Sequence, residues 1–379
     1  MSQGFVFHSV KRLQVEQGAA ARLGELAGTA GMRRVLLVSD RGVHNLGLLQ
    51  PALASLEQHA VEVELFLDVE ADPSAATVQA AAERARALKV SGVIGIGGGS
   101  PMDVAKLAAL LAGGKQSLEA LYGVDQASGP RLPLILMPTT AGTGSEVTPV
   151  AIVTTGEGEK KGVVSRWLLP DSALLDATLT TGLPPKGTAA TGIDAMVHAI
   201  EAYTGVRLKN PMSDCLAREA MRLLSHNIER ACSHGQDLAA REAMLFGASL
   251  AGMAFANSPV AAVHALAYPV GALFHVPHGL SNSLVLPAVL RYNTSHCAER
   301  YAELATLLPG NPAGADGLIT WLTALPGRLG LPTRLSEVGI TQADLPRLAE
   351  DAMKQTRLLV NNPRTLGYET TLALYQQVL

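Results

Sequence analysis

Cysteine is scarce in this chain. Cys215, Cys232 and Cys297 are scattered through 379 residues, with no C-x-x-C pair. So sparse and odd a set argues against a disulfide framework and for a reducing compartment. Aromatic residues are few as well, at 4%, which removes the stacking platforms that single-stranded nucleic acid needs. Surplus charge is small. A formal net charge of −3 points to neither nucleic acid nor an anionic membrane surface. Met1-Ser2-Gln3-Gly4-Phe5 has no basic or apolar region of a secretory signal. No internal repeat or low-complexity tract is evident, so a solenoid is not expected. The expectation is a cytoplasmic protein of two domains, with 48% apolar residues to build their cores.

The most informative absence is local. From Ala243 to Leu290 there is no Asp, Glu, Lys or Arg, yet the run holds His264, His275 and His278. An uncharged run of this length is buried, either in a core or in a bilayer. A bilayer span needs about 20 unbroken apolar residues. Asn257-Ser258-Pro259, Pro269 and Pro277 cut this run into shorter pieces, so a core is expected. Buried imidazoles need partners. One is usually satisfied by a hydrogen bond in the core; three together suit a metal ion.

A second segment supplies further ligands. Asp194 and His198 stand four apart, one turn along a helical face. Alone, such a pair reads as a hydrogen bond or a solvated face. Joined to His264 and His278 it becomes a carboxylate with three imidazoles, a set suited to iron(II) or zinc(II). Four protein ligands would close a tetrahedral zinc site. A catalytic ion here must expand its coordination, which favours iron over zinc.

Residues 30 to 150 alternate short β-type runs with helical patterns. Strands are expected at 34–40, 61–66, 90–96 and 134–137, and helices at 46–59, 74–88 and 102–111. That alternation implies an α/β domain with a parallel, doubly wound sheet, which binds ligands at the carboxyl ends of its strands. Two glycine-rich turns lie at such ends. Gly97-Gly98-Gly99-Ser100 follows a strand and opens a helix, an arrangement suited to a phosphate, although a structural turn would also use three glycines. Thr139-Thr140-Ala141-Gly142-Thr143-Gly144-Ser145 offers hydroxyls and close backbone approach for a ribose or pyrophosphate. Asp40, ending the first of these strands, either accepts from a ribose or caps the next turn. After Leu183-Pro184-Pro185 the texture changes to long Ala/Leu/Arg helices. The expected domains are therefore 1–183, α/β and dinucleotide-binding, and 184–379, all-α and metal-binding, with a ligand cleft between them.

These motifs resemble those of the iron-containing alcohol dehydrogenases. Asp194-x3-His198, Val263-His264-Ala265-Leu266-Ala267-Tyr268-Pro269 and Pro277-His278-Gly279 carry the resemblance, with Gly97 to Lys106 and Pro138 to Glu146 matching the family's cofactor motifs. It implies that Asp194, His198, His264 and His278 hold a catalytic divalent metal. It further implies NAD bound by Gly97, Gly98, Gly99, Ser100, Asp103, Thr139, Thr140, Thr143 and Ser145, with Asp40 favouring NAD over NADP. Lys161 matches a family lysine near the cofactor, and otherwise reads as a solvated lysine. His275, by family position, faces substrate or cofactor, or else belongs to the core. Asp72-Pro73 replaces the family's Asn-Pro, and Tyr268 replaces a common histidine. A tyrosine, with a reference pKa of about 10, stays a neutral donor at pH 7, or simply walls the pocket.

The implied function is metal-dependent, NAD-linked hydride transfer between an alcohol and an aldehyde or ketone, by a homodimer without nucleic-acid or membrane partners. The alternatives are a hydroxyacid–oxoacid transhydrogenase or a carboxylate-bearing ketone reductase such as maleylacetate reductase on the same scaffold. A non-enzymatic protein with a structural metal is a third reading.

Overall fold

The structure is a computed structural model, and residues 4–156 and 159–379 are described. It has two compact units. One comprises His8–Thr140 and Gly144–Gly182; the other comprises Leu183–Leu379, Ala141–Thr143 and the described part of Met1–Phe7.

The first unit is α/β. Its strands are β1 (Arg12–Val15), β2 (Arg34–Val38), β3 (Glu62–Phe66), β4 (Gly92–Gly97), β5 (Gly123–Val124), β6 (Leu134–Pro138), β7 (Val150–Thr155), β8 (Glu159–Val164) and β9 (Ser172–Leu175). Six of them form a sheet in the order β1-β9-β6-β4-β2-β3, every pair parallel. Helices α1 (Leu23–Thr29), α2 (Arg41–Asn45), α3 (Gln50–Gln58), α4 (Ala75–Ala87) and α5 (Gly99–Gly113) connect them. Alternate residues of each strand enter opposite cores, as a period of two requires. Leu36, Val38, Val93, Leu134 and Leu136 pack with α4 and α5. Val35, Leu37, Ile94, Ile96, Ile135 and Met137 pack with α1 and α3. Burial on both faces is why these strands are nearly continuous apolar runs. A second sheet, β5-β8-β7, was not expected from the sequence. Nor was the break in the helix expected at 46–59: α3 starts at Gln50, and α2 precedes it.

The second unit is helical, and no strand follows Leu175 among the described residues. Its main helices are α6 (Pro185–Thr204), α7 (Pro211–Ser233), α8 (Leu238–Asn257), α9 (Ala262–Phe274), α10 (His278–Ala305) and α11 (Gly314–Arg328). Pro184 and Pro185, where the sequence texture changes, are the N-cap and first residue of α6, where the missing N–H costs nothing. The uncharged run forms most of α8, all of α9 and the start of α10. Helix α8 is long and apolar enough to cross a membrane, but 67% of that window is buried inside the protein.

Candidate active site

Helix α6 presents Asp194 and His198 on one face. His264 lies in the first turn of α9, and His278 is the first residue of α10. One ligand atom from each lies within 4.8 Å of all the others. Nε2 of His278 is 3.5 Å, and Nε2 of His264 3.8 Å, from Asp194 Oδ1. Metal–ligand bonds of about 2 Å place ligand atoms roughly 3–4 Å apart, so the set needs only a slight contraction to hold one ion. Asp194, His198 and His264 are buried, whereas the His278 side chain is 40% exposed. One side of the cluster is therefore open.

The chemistry of the donors agrees. Burial alone would raise the Asp194 pKa, but the facing imidazoles of His198, His278 and His264 outweigh it and hold the carboxyl below its ordinary value. Burial pushes His198 down to about 3, against the pull of Asp194. It is therefore neutral at pH 7, as a ligand must be. Asn282 donates from Nδ2 to Asp194 Oδ1 at 2.6 Å, and the same nitrogen lies 3.3 Å from Nε2 of both His264 and His278. Two amide hydrogens cannot serve three acceptors. Asn282 Oδ1 is itself buried without a hydrogen bond. This surplus of lone pairs is what a divalent cation would satisfy.

Tyr268 stands beside these residues. Its ring meets His264 edge-on at 6.4 Å and lies 5.9 Å from the His278 ring. His275 is exposed and ends α9 in the left-handed conformation (φ 55°). It is outside the four-ligand cluster, and a helix-ending residue is all its geometry shows.

In the α/β unit the glycine turn follows β4 as expected, with Gly98 as N-cap of α5. A Cβ on Gly97 would stand 2.7 Å from the Pro101 ring, so only glycine fits the turn as built. Thr139 N–H donates to Gly97 O at 2.9 Å and joins the first turn to the second. Asp103 and Ser145 strengthen that join. Ser145 Oγ donates to Asp103 Oδ1 at 2.6 Å, and Ile152 N–H donates to Oδ2 at 2.9 Å. Lys106, fully buried, donates to Ser145 Oγ and Val150 O at 2.7 Å. Burial lowers its pKa, opposed by Asp103 and Glu146. Asp103 and Ser145 thus brace the two turns from within, and sequence reasoning missed Lys106 as the third brace.

Gly99 opens α5. Ser100 accepts from Asp72 N–H at 3.2 Å, and Thr140 stands 3.7 Å from the Cβ position of Gly98. Thr143 falls in the stretch that groups with the helical unit. Asp40 caps α2, accepting from Val43 N–H at 2.8 Å, and Oδ1 alone makes that bond. Lys161 lies 3.4 Å from Glu159 and over the Tyr122 ring at 5.6 Å. Its neighbour Lys160 turns the other way, to Asp72 (2.7 Å) and Thr154 (2.9 Å). Glu157 and Gly158, which precede these lysines in the sequence, lie outside the described residues.

Family comparison decides the broader identity. The profile described as iron-containing alcohol dehydrogenase matches residues 11–177, and that of the Fe-containing alcohol dehydrogenase family, C-terminal, matches 188–379. The chain belongs to the iron-containing alcohol dehydrogenase family. It is an oxidoreductase acting on CH–OH groups of a small-molecule substrate. Long-chain-alcohol dehydrogenase 1 of Geobacillus thermodenitrificans is 39% identical, over 95% of this chain and 93% of that protein. The crystal structure of a 1,3-propanediol oxidoreductase superposes with a TM-score of 0.96 at 33% identity, covering 100% of both chains. Sulfoacetaldehyde reductase from Bifidobacterium kashiwanohense, solved with NAD+, superposes with a TM-score of 0.90 at 28% identity, covering 100% of this chain and 99% of that one. These relatives favour the dehydrogenase or reductase reading over the transhydrogenase and maleylacetate reductase alternatives.

Proposed function

We propose that this family member interconverts a small alcohol and its aldehyde or ketone using NAD and one divalent ion, iron(II) ahead of zinc(II). Asp194, His198, His264 and His278 would hold the ion. The convergence of these four ligand atoms within 4.8 Å carries the reading. When bound, such an ion supplies Lewis acidity to a substrate oxygen, and a nicotinamide supplies or accepts the hydride. The chain's own groups do the rest. Gly97, Gly98 and Gly99 leave room for a pyrophosphate at the start of α5, with Ser100, Thr139 and Thr140 as nearby hydroxyls; Thr143 enters this reading through the sequence motif alone. Asp103 and Ser145 keep the two turns in register. The exposed edge of His278 marks where substrate enters. The decisive assay strips the protein with chelator, reloads it anaerobically with Fe(II) or Zn(II), and screens alcohols and aldehydes with NAD and NADP. Full turnover in the stripped protein would sink the metal assignment.

NAD is preferred in this reading because Asp40 keeps one carboxylate oxygen unengaged by its helix cap. A carboxylate there accepts from a ribose and repels a 2′-phosphate. Asp40→Gly is expected to shift the ratio of kcat/KM for NAD over NADP toward NADP by about tenfold, the worth of one such interaction of roughly 1.4 kcal/mol. An unchanged ratio leaves Asp40 as a cap alone. Lys161, on β8 of the second sheet, enters this proposal only through the family resemblance that puts a lysine near the cofactor.

Tyr268 is proposed to donate a hydrogen bond to the substrate oxygen or to a water beside it. Tyr268→Phe keeps the ring and deletes the hydroxyl. Turnover is expected to fall about tenfold or more, within the range of general acid–base effects. Parent-level turnover in Tyr268→Phe, with Tyr268→His altering only substrate range, would make it a pocket wall.

A further inference from the structure

Glu201 is a buried carboxylate, 4% exposed, with no role in the motifs above. It lies seven residues beyond Asp194 and three beyond His198, on the same face of α6. Its Oε2 accepts from Ala261 N–H at 2.9 Å, and its Oε1 from Val263 N–H at 2.6 Å. Helix α9 begins at Ala262 and its N-cap, Ala261, has no capping side chain. Glu201 therefore supplies from α6 the acceptor that a serine or aspartate cap would supply locally. Its third partner is His264 Nδ1, 2.6 Å from Oε2.

That last contact has a chemical consequence. An ionised carboxylate only accepts, so Nδ1 must carry the hydrogen. In a neutral imidazole, Nε2 is then bare. Asn282 is consistent with that state, since its Nδ2 lies 3.3 Å from Nε2. Without Glu201 the nearest carboxylate is that of Asp194, whose Oδ1 lies 3.8 Å from Nε2 and whose charge favours a proton on that nitrogen. An imidazole protonated at Nε2 cannot ligate through that atom. The two tautomers are thus one that can ligate a metal through Nε2 and one that cannot.

We propose that Glu201 is a positioning residue of the metal centre, holding His264 as the Nδ1–H tautomer with Nε2 bare toward Asp194 and His278, while making no bond to the ion itself. The proposal rests on reading the four-residue cluster as a metal site. A carboxylate–histidine–metal relay of this kind fixes both the tautomer and the ring plane of the ligand.

The test pairs Glu201→Gln with the parent. Each metal-free protein is titrated with Zn(II) against a chromophoric chelator, and its thermal melt is recorded. Glu201→Gln is expected to bind Zn(II) about 10- to 100-fold more weakly, the usual effect of losing such a partner. A role confined to capping α9 predicts a lower melting temperature of the metal-free protein with parent affinity for Zn(II), and that result overturns the proposal. Should Glu201→Gln fail to fold, nitrogen NMR of the histidine-labelled, metal-free parent still decides. Protonated Nδ1 and bare Nε2 at His264 are expected, and the opposite tautomer overturns the proposal. Failure of the parent itself to bind any divalent ion would overturn the metal reading, a result separate from the tautomer measurement.

Discussion

Gly279→Ala is expected to lower kcat about a hundredfold or more while the secondary structure survives. Gly279 follows the proposed ligand His278 at the very start of α10, where it rests on α6. A Cβ at this position would stand 2.2 Å from Ala190 O, 2.7 Å from Ala190 C and 3.2 Å from Asp194 Cβ. The first two are backbone atoms of a buried helix and cannot swing aside as a side chain would. The start of α10 must therefore move off α6, and His278 moves with it away from Asp194. A misplacement of about 1 Å at a reacting centre can cost about 10²-fold in rate. Overpacking of this kind adds roughly 1–3 kcal/mol of destabilisation. Steady-state kinetics with metal analysis, beside far-UV circular dichroism, checks it. Parent turnover with full metal occupancy would show that α10 can shift without disturbing the ligands.

A larger loss is expected from Asp194→Asn. The amide keeps the shape of the carboxylate and one oxygen for Asn282, but it removes the only negative charge among the four proposed ligands. Lewis-acid stabilisation is worth several kcal/mol, and each 1.36 kcal/mol is tenfold in rate. Turnover should fall at least about a thousandfold, with metal content falling in parallel on dialysis. A variant that keeps its metal and its turnover would exclude Asp194 as a ligand.

Strands β2, β3, β4 and β6 were legible in the sequence because three of them are buried on both faces and read as unbroken apolar runs. β1 and β9 were not. Each has only four residues, too short for any period to register. The small second sheet failed for the same reason at β5, which has two residues. The split between α2 and α3 turns on one local detail, Gly47 in the left-handed region (φ 73°) between the end of α2 at Asn45 and the start of α3 at Gln50, which a helical pattern does not reveal.

The site divides in the same way. Asp194, His198, His264 and His278 were visible because their residue types and spacing are distinctive. The groups that orient them were not visible, although a signal existed. Glu201 continues the helical face of Asp194 and His198, and Asn282 stands four residues after His278 on α10. Polar residues in register with proposed ligands were there to be counted. The Lys106 brace is different in kind. Besides Asp103 on its own helix, its partners lie 39 to 44 residues away, and nothing local in the sequence says that α5 and the second turn meet.

The apolar helix α8, charged only at Arg241 and Glu242, also bears on how the chain is made. As it leaves the ribosome it offers 20 residues apolar enough to pass for a membrane anchor, or to nucleate aggregation if left bare. Its main packing partners within the unit are α6 and α7, and both precede it in synthesis. The nascent segment thus meets a waiting surface as it emerges, whereas an order that delayed α6 and α7 would leave it bare. A permuted gene that places α8 ahead of those two helices should accumulate in the insoluble fraction, and soluble yield equal to the natural order would show that synthesis order does not protect it.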